Sequence, residues 1–91
     1  MKVYIAGKIT GEAGYKEKFA SAAAILEGSG HIVLNPAVLP AGMAEADYMR
    51  ICMAMMESAD AVMFLPDWIC SRGACLEHQW CEYTGKAIMY A

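Results

Sequence analysis

The sequence has few basic residues and no long apolar run. Lysine and arginine together number seven in 91 residues, against ten acidic residues, so the net charge is −3. Because the seven are scattered, they form no basic stripe for a phosphate backbone, which argues against polymeric nucleic acid as a partner. The amino-terminal apolar segment, Val3–Ala6, is too short for a secretory signal, and no segment reaches membrane-spanning length. We therefore expect a cytoplasmic protein with no membrane partner.

The sequence contains four cysteines, but their spacing does not indicate a metal site. Cys52, Cys70, Cys75 and Cys81 lie in or beside apolar helical segments, where reduced thiols behave as small hydrophobic groups. Cys75, His78 and Cys81 recur at every third residue, which spreads them over roughly 9 Å of helix. That separation is too large for one tetrahedral zinc ion. We predict no metal and no cofactor.

Apolar side chains are abundant for so short a chain. Hydrophobic residues make up 58% of the sequence, and there are eight methionines. The segment Tyr48–Met56 carries one charge in nine residues, so apolar side chains would surround a helix there. Only one face of that helix can meet the chain's own sheet. We predict a homo-oligomer built through this helix.

Apolar runs of strand length alternate with longer segments of helical periodicity. Four runs are nearly continuous in hydrophobic residues, as in parallel strands buried on both faces: Val3–Ala6, Ile32–Leu34, Ala61–Leu65 and Ala87–Tyr90. Three helical segments separate them: Tyr15–Glu27, Glu45–Ser58 and Ser71–Thr84. Right-handed crossovers then predict one α/β domain over residues 1–91, a three-layer α/β/α sandwich of flavodoxin-like or Rossmann-like type. Its parallel four-stranded sheet should have the order 2-1-3-4.

Two loops at the carboxyl ends of the predicted strands carry candidate binding residues. The first, Gly7-Lys8-Ile9-Thr10-Gly11, has two glycines that permit close backbone approach, and its amides and polar side chains can bind phosphate or sugar hydroxyls. It is equally compatible with a glycine turn that binds nothing. The second loop, Pro66–Gly73, contains an acid, a guanidinium and Trp68, which can stack on a nucleobase or cover the core.

Glu77 is the strongest candidate for a reactive group. Ser71 can cap a helix that continues through Arg72 and Gly73, and Glu77 lies six residues beyond Ser71. A helix start attracts anions, so Ser71 and the amides of Arg72 and Gly73 can hold a phosphate or carboxylate. Glu77 would then be placed as a nucleophile or base acting on a sugar or phosphate ester. The alternative is that Glu77 is one solvated helix charge.

Four segments of the chain resemble the nucleoside 2-deoxyribosyltransferase superfamily. They are Tyr4-Ile5-Ala6-Gly7, Ala59-Asp60-Ala61-Val62, Gly73-Ala74-Cys75-Leu76-Glu77 and Gly85-Lys86. The resemblance spans nearly the whole chain and is closest to a small bacterial and phage branch of unassigned function, related to the deoxynucleoside 5′-monophosphate N-glycosidases. One departure follows Glu77, where His78-Gln79 stands in place of the Leu-Gly pair usual in the transferases.

The resemblance implies roles for several residues. Glu77 would be the nucleophile that cleaves an N-glycosidic bond, and Ser71 would contact a 5′-phosphate. Tyr4 and the loop Gly7–Gly11 would line the substrate. The implied ligand is a small nucleoside or nucleotide, and the implied reaction is hydrolysis or deoxyribosyl transfer.

The superfamily also has an acidic residue near the leaving base, and its counterpart here is open. Asp47 aligns approximately with that position, and Asp67 is a rival candidate. Three classes of function therefore remain. The chain is an N-glycosidase or deoxyribosyltransferase, a non-catalytic nucleotide-binding module with a sensor or regulatory role, or an assembly protein whose crevice is vestigial.

Overall fold

A computed structural model describes residues 1–91. Strands and α-helices alternate along the chain, and two short 3-10 turns, Pro36–Val38 and Trp68–Cys70, lie in the loops that follow the second and third strands. The bounds of the regular elements are β1 Lys2–Ala6, α1 Tyr15–Gly28, β2 Ile32–Leu34, α2 Glu45–Ser58, β3 Ala61–Phe64, α3 Arg72–Thr84 and β4 Ala87–Tyr90.

The four strands form one parallel sheet in the order β2-β1-β3-β4, which confirms the predicted topology. Tyr4 stands beside Leu34 on one side and Val62 on the other, so β1 is a central strand. All four residues of β3 are buried, whereas the edge strands β2 and β4 are partly exposed. Burial on both faces explains why the central strands are continuous apolar runs.

Alternation along β1 divides the core into two layers. Val3 and Ile5 pack with Phe19 and Leu26 of α1 on one face of the sheet. Residues of the opposite parity face the other layer, in which α2 and α3 supply most of the helical contacts; that cluster contains Tyr4, Ala6, Cys52, Met56, Val62, Phe64 and Cys81. The arrangement is the three-layer α/β/α sandwich expected from the sequence. It places α1 on the face opposite α2 and α3.

Local signals fix the two ends of α3. The Ser71 hydroxyl oxygen accepts a hydrogen bond from the Ala74 amide at 3.1 Å, which is an ordinary N-cap. Gly85 ends the helix with φ of 76°, a left-handed conformation that glycine adopts without a Cβ penalty. The Lys86 ammonium then donates to the Ala59 carbonyl oxygen at 2.6 Å, which ties the end of α3 to the end of α2. None of the three α-helices combines the length and the hydrophobicity that a membrane span requires.

Candidate functional site

A cavity of about 680 Å³ opens at the carboxyl ends of the strands. Its walls come from the loop after β1, the segment after β2, the start of α2 and the start of α3. The loop after β1 leads to α1 on one face of the sheet, and the segment after the neighbouring β2 leads to α2 on the other face. Parallel α/β folds bind ligands at such a point. The size is within the range of small-molecule sites. Nine of the predicted site residues line it: Tyr4, Gly7, Lys8, Ile9, Thr10, Ser71, Arg72, Gly73 and Glu77.

Glu77 is buried in the floor of this cavity. It is 5% exposed, on the same side of α3 as Ala74 and Cys81, which spacings of three and four residues turn toward the sheet. The Tyr4 hydroxyl donates a hydrogen bond to Glu77 Oε2 at 2.7 Å. The alternative that Glu77 is a solvated helix charge is therefore wrong.

Burial changes the protonation of this pair. Loss of water around the carboxylate raises the pKa of Glu77 from 4.5 to about 7, and the hydrogen bond from Tyr4 opposes that rise. The pKa of Tyr4 is raised well above its usual value, first by burial and then by the negative charge of Glu77. Tyr4 is therefore a permanent hydrogen-bond donor, whereas Glu77 changes charge close to neutral pH.

Cys52 of α2 also lines the cavity, close to this pair. Burial raises the pKa of its thiol, and the charge of Glu77 acts in the same direction. The thiol therefore stays protonated at neutral pH and adds no second negative charge to the floor.

Positive groups lie at the start of α3 and on the first loop. Arg72 and Lys8 both line the cavity, as does Ser71, the N-cap of α3. The Ser71 oxygen is already an acceptor for the Ala74 amide, so its own proton is free to donate to a ligand. Together with the amides of the first helical turn, these groups favour an anion at this end of the cavity.

The first loop is held by hydrogen bonds to its backbone. The Lys8 amide donates to Asp67 Oδ1 at 3.1 Å, and the Lys8 carbonyl oxygen accepts from the Lys18 ammonium at 3.0 Å. A Cβ on Gly7 would lie 3.0 Å from two carbon atoms of Leu65, so glycine is needed at that position. The Lys8 amide is thus committed to Asp67, and the loop faces the cavity with the Lys8 side chain and with Ile9 and Thr10.

Four predicted site residues do not line the cavity. Asp47 is 49% exposed and pairs with the Arg50 guanidinium at 3.0 Å. Asp67 is bound to Lys18 and to the Lys8 amide, and Gly11 belongs to the turn beyond the lining residues. The fourth is Trp68, whose ring stacks on that of His78.

Trp68 packs against other aromatic rings and not into the cavity. Its ring lies parallel to that of His78, with centroids 4.1 Å apart and planes 12° apart, and meets Phe64 edge-on at 5.4 Å. His78 Nε2 is in turn 2.6 Å from the Tyr90 hydroxyl. This placement matches the alternative in which Trp68 covers the core beside β4.

The three candidate zinc ligands on α3 point to different surroundings. Cys81 is buried in the core, His78 contacts Tyr90, and the Cys75 thiol faces the Ile69 carbonyl oxygen at 3.4 Å. No group of three or more histidine, cysteine or acidic side chains is arranged to hold a metal ion.

Glu45 is a cavity residue that the sequence did not single out. It is the first residue of α2, and apart from Glu77 it supplies the only carboxyl group among the lining residues. Tyr48 and Met49 follow it on the same wall. Its position in the first turn of α2 was the one signal in the sequence that could have indicated it. A helix that starts at the carboxyl ends of parallel strands brings its first turn to the crevice.

Comparison with known proteins identifies the family. The family described as Domain of unknown function (DUF4406) matches residues 1–90. The chain belongs to the DUF4406 family. No curated protein matches it. A solved structure of a 2-deoxyribosyltransferase from Bacillus psychrosaccharolyticus superposes on this DUF4406 chain with a TM-score of 0.78 and 18% sequence identity, covering 99% of this chain and 71% of that chain. The DUF4406 domain therefore has a nucleoside deoxyribosyltransferase-like fold, as the sequence resemblance implied.

Proposed function

We propose that this DUF4406 protein cleaves the N-glycosidic bond of a 2′-deoxynucleoside or its 5′-monophosphate, as a hydrolase or a deoxyribosyltransferase, with Glu77 as the nucleophile. The observation that carries the proposal is the buried Glu77 carboxyl, held by Tyr4 at 2.7 Å in the floor of a ligand-sized cavity. An ionisable side chain with a perturbed pKa in such a place is typical of a functional group.

The proposed reaction proceeds in two displacements. A carboxylate oxygen of Glu77 bonds to the anomeric carbon while the bond from that carbon to the base nitrogen breaks, and its electron pair leaves with the base, which takes up a proton. Water or a second base then attacks the anomeric carbon, loses a proton, and releases the Glu77 carboxylate. Two inversions give overall retention of configuration. With a pKa of about 7, a substantial fraction of Glu77 is ionised and reactive at neutral pH.

The two ends of the cavity match the two ends of a nucleotide. Ser71 and Glu77 are six residues apart on one helix, which corresponds to about 9 Å along its axis. The phosphate and the anomeric carbon of a nucleoside 5′-monophosphate are a few ångströms apart, so with the reach of the two side chains both ends of one nucleotide could be met at once. Arg72 and Lys8 add positive charge where the phosphate would lie.

The leaving base needs a proton donor, and Glu45 is the candidate that the cavity offers. Asp47 is paired with Arg50, and the pKa of Asp67 is below its usual value, because hydrogen bonds from Lys18 and the Lys8 amide outweigh the effect of burial. Neither carboxyl lines the cavity, whereas Glu45 does.

The second candidate function is a nucleotide-binding module without turnover. It is favoured by the placement of both predicted acids, Asp47 and Asp67, outside the cavity. If Glu45 does not protonate the base either, the site would bind a nucleotide and leave it intact. The cavity, the anion end and the Tyr4–Glu77 pair are compatible with both functions.

A turnover assay separates the two functions. Purified protein is incubated with the four 2′-deoxynucleoside 5′-monophosphates and with the parent nucleosides, and the free base is separated and quantified. The proposal expects base release by the wild type and by the control Glu27→Gln, an exposed residue of α1, and a loss of about three orders of magnitude in Glu77→Gln. Binding by all three proteins with no base release would favour the module. If the protein neither binds a nucleotide nor releases a base, both functions are contradicted.

A further inference from the structure

We propose that Lys18 and Asp67, which lie outside the cavity, are positioning residues that hold the cavity's first wall in its ligand-binding shape. The wall is the loop Gly7–Thr10, whose residues Lys8, Ile9 and Thr10 face the cavity. The ligand is taken to be a deoxynucleotide, and in this respect the inference rests on the proposed function. It assigns a role to Lys18, which no motif in the sequence indicated.

One ion pair occupies both backbone polar groups of Lys8. The Lys18 ammonium forms a short contact with Asp67 Oδ2 and also donates to the Lys8 carbonyl oxygen at 3.0 Å. Asp67 Oδ1 accepts the Lys8 amide at 3.1 Å. Glu12 Oε2 lies 4.0 Å from the same ammonium. The peptide units on either side of Lys8 are therefore fixed by two side chains from distant parts of the chain.

The pair links α1 to the loop that follows β3. Lys18 is on α1, on the face of the sheet opposite Glu77, whereas Asp67 follows β3. Their side chains are 28% and 27% exposed, so solvent screens the pair only in part. Gly7 has little freedom to compensate, because Leu65 and Asp67 crowd the space beside its Cα. Loss of the ammonium would leave the Lys8 carbonyl oxygen and one Asp67 oxygen without their donor.

The charge state of Asp67 suits this role. Burial alone would favour the neutral acid, but the hydrogen bonds from Lys18 and the Lys8 amide, with the charge of Lys18, lower the pKa of Asp67 below its usual value. An ionised carboxylate accepts hydrogen bonds and cannot donate a proton. Asp67 is therefore suited to hold the loop and is not suited to donate a proton to the leaving base.

The test compares Lys18→Met with Lys16→Met, a matched variant at an exposed lysine of the same helix. Three quantities are measured in each protein: the hydrogen-exchange rate of the Lys8 amide, the ¹³C shift of the Asp67 carboxyl as a function of pH, and calorimetric affinity for the four 2′-deoxynucleoside 5′-monophosphates. We expect Lys18→Met to exchange the Lys8 amide about tenfold faster, to titrate Asp67 at higher pH, and to bind its nucleotide about tenfold more weakly, as for the loss of one charged hydrogen bond. Lys16→Met should match the wild type.

Asp67→Asn provides an independent check, since it breaks the pair from the other side and remains informative if Lys18→Met fails to fold. Both variants should accelerate hydrogen exchange at the Lys8 amide. The double variant should exchange little faster than either single variant, because the effects of substituting two partners in one interaction are not additive. Unchanged Lys8 exchange in the single variants would overturn the proposal. The proposal would also be overturned if the Lys8 amide exchanged faster while nucleotide affinity stayed equal to that of the Lys16→Met control. Loosening the loop would then have no effect on binding in the cavity.

The proposed function can fail separately from this proposal. Wild-type protein that binds none of the nucleotides would count against the proposed function. The pair would in that case be judged on the Lys8 exchange rate and on the methyl resonance of Ile9, which lines the same wall. A changed Ile9 resonance in Lys18→Met but not in Lys16→Met would support the positioning role, and an unchanged one would overturn it.

Discussion

Replacement of Glu77 by glutamine should stabilise the protein above neutral pH. The pKa of Glu77 is raised in the folded state, so its folded form binds a proton more tightly than its unfolded form. Stability from this group is fully present below the unfolded pKa and is lost as pH rises through the folded pKa of about 7. Glutamine keeps the size of the side chain and an oxygen that accepts the hydrogen bond from Tyr4, but it cannot ionise.

The magnitude follows from the shift. A rise in pKa from 4.5 to about 7 corresponds to roughly 3 kcal/mol at full ionisation, since each pKa unit is worth about 1.4 kcal/mol. Glu77 is 5% exposed, so solvent screening reduces this value little. In a domain of this length, a difference of that size moves the melting temperature by roughly 12–24 °C. Glu77→Gln and the wild type should be similar in stability at pH 4 and diverge progressively toward pH 8.

Denaturant unfolding at a series of pH values between 4 and 8 measures this divergence. The relevant quantity is the difference in the free energy of unfolding between variant and wild type, because other titrating groups contribute equally to both. Glu27→Gln, which removes a carboxylate exposed to solvent, should show no such trend. A Glu77→Gln protein no more stable than the wild type at pH 8 would refute the account of a desolvated carboxyl at the floor of the cavity.

Three further predictions concern the Tyr4–Glu77 hydrogen bond, the anion end of the cavity and the oligomeric state. Tyr4→Phe removes the hydrogen bond that lowers the pKa of Glu77, so a ¹³C titration should give a higher pKa for Glu77; an unchanged value would mean that the bond is not formed in solution. Deoxynucleoside 5′-monophosphates should bind more tightly than nucleosides by calorimetry, and Ser71→Ala should reduce the difference by about tenfold; equal affinities in the wild type would exclude a phosphate at this helix start. Sedimentation at micromolar concentration should reveal an oligomer formed through Tyr48–Met56, and a monomer alone would contradict it.

The fold could be predicted because its signals are local. The central strands are continuous apolar runs, and α3 is marked by Ser71 before it and by Gly85 after it. The order of these elements along the chain allows few topologies, and the predicted strand order 2-1-3-4 is confirmed. The proximity of Tyr4 and Glu77 can be inferred from the order of the elements for a similar reason. Tyr4 lies on a central strand that pairs with β3, and Glu77 lies on the helix that follows β3, so both meet at the same edge of the sheet.

The surroundings of the acids depend on contacts that no local pattern encodes. Asp67 is held by Lys18, 49 positions away, and the sequence contains no motif that joins them. Trp68 stacks on His78, whose orientation is set by Tyr90 at the end of β4. Sequence spacing also could not distinguish the two sides of α3, so the burial of Glu77, and hence its pKa, required the packed structure.

The central claim is that Glu77 forms a covalent bond to a 2-deoxyribosyl carbon, and intact-protein mass spectrometry tests it most directly. The protein is incubated with 2-fluoro-arabinosyl nucleosides and their 5′-monophosphates, in which fluorine slows breakdown of a glycosyl-enzyme. We predict a mass increase equal to one fluorinated sugar on the wild type and on Tyr4→Phe, mapped to Glu77 by peptide sequencing and absent from Glu77→Gln. An adduct that persists in Glu77→Gln, or base release by that variant at a rate near the wild type, would contradict the account.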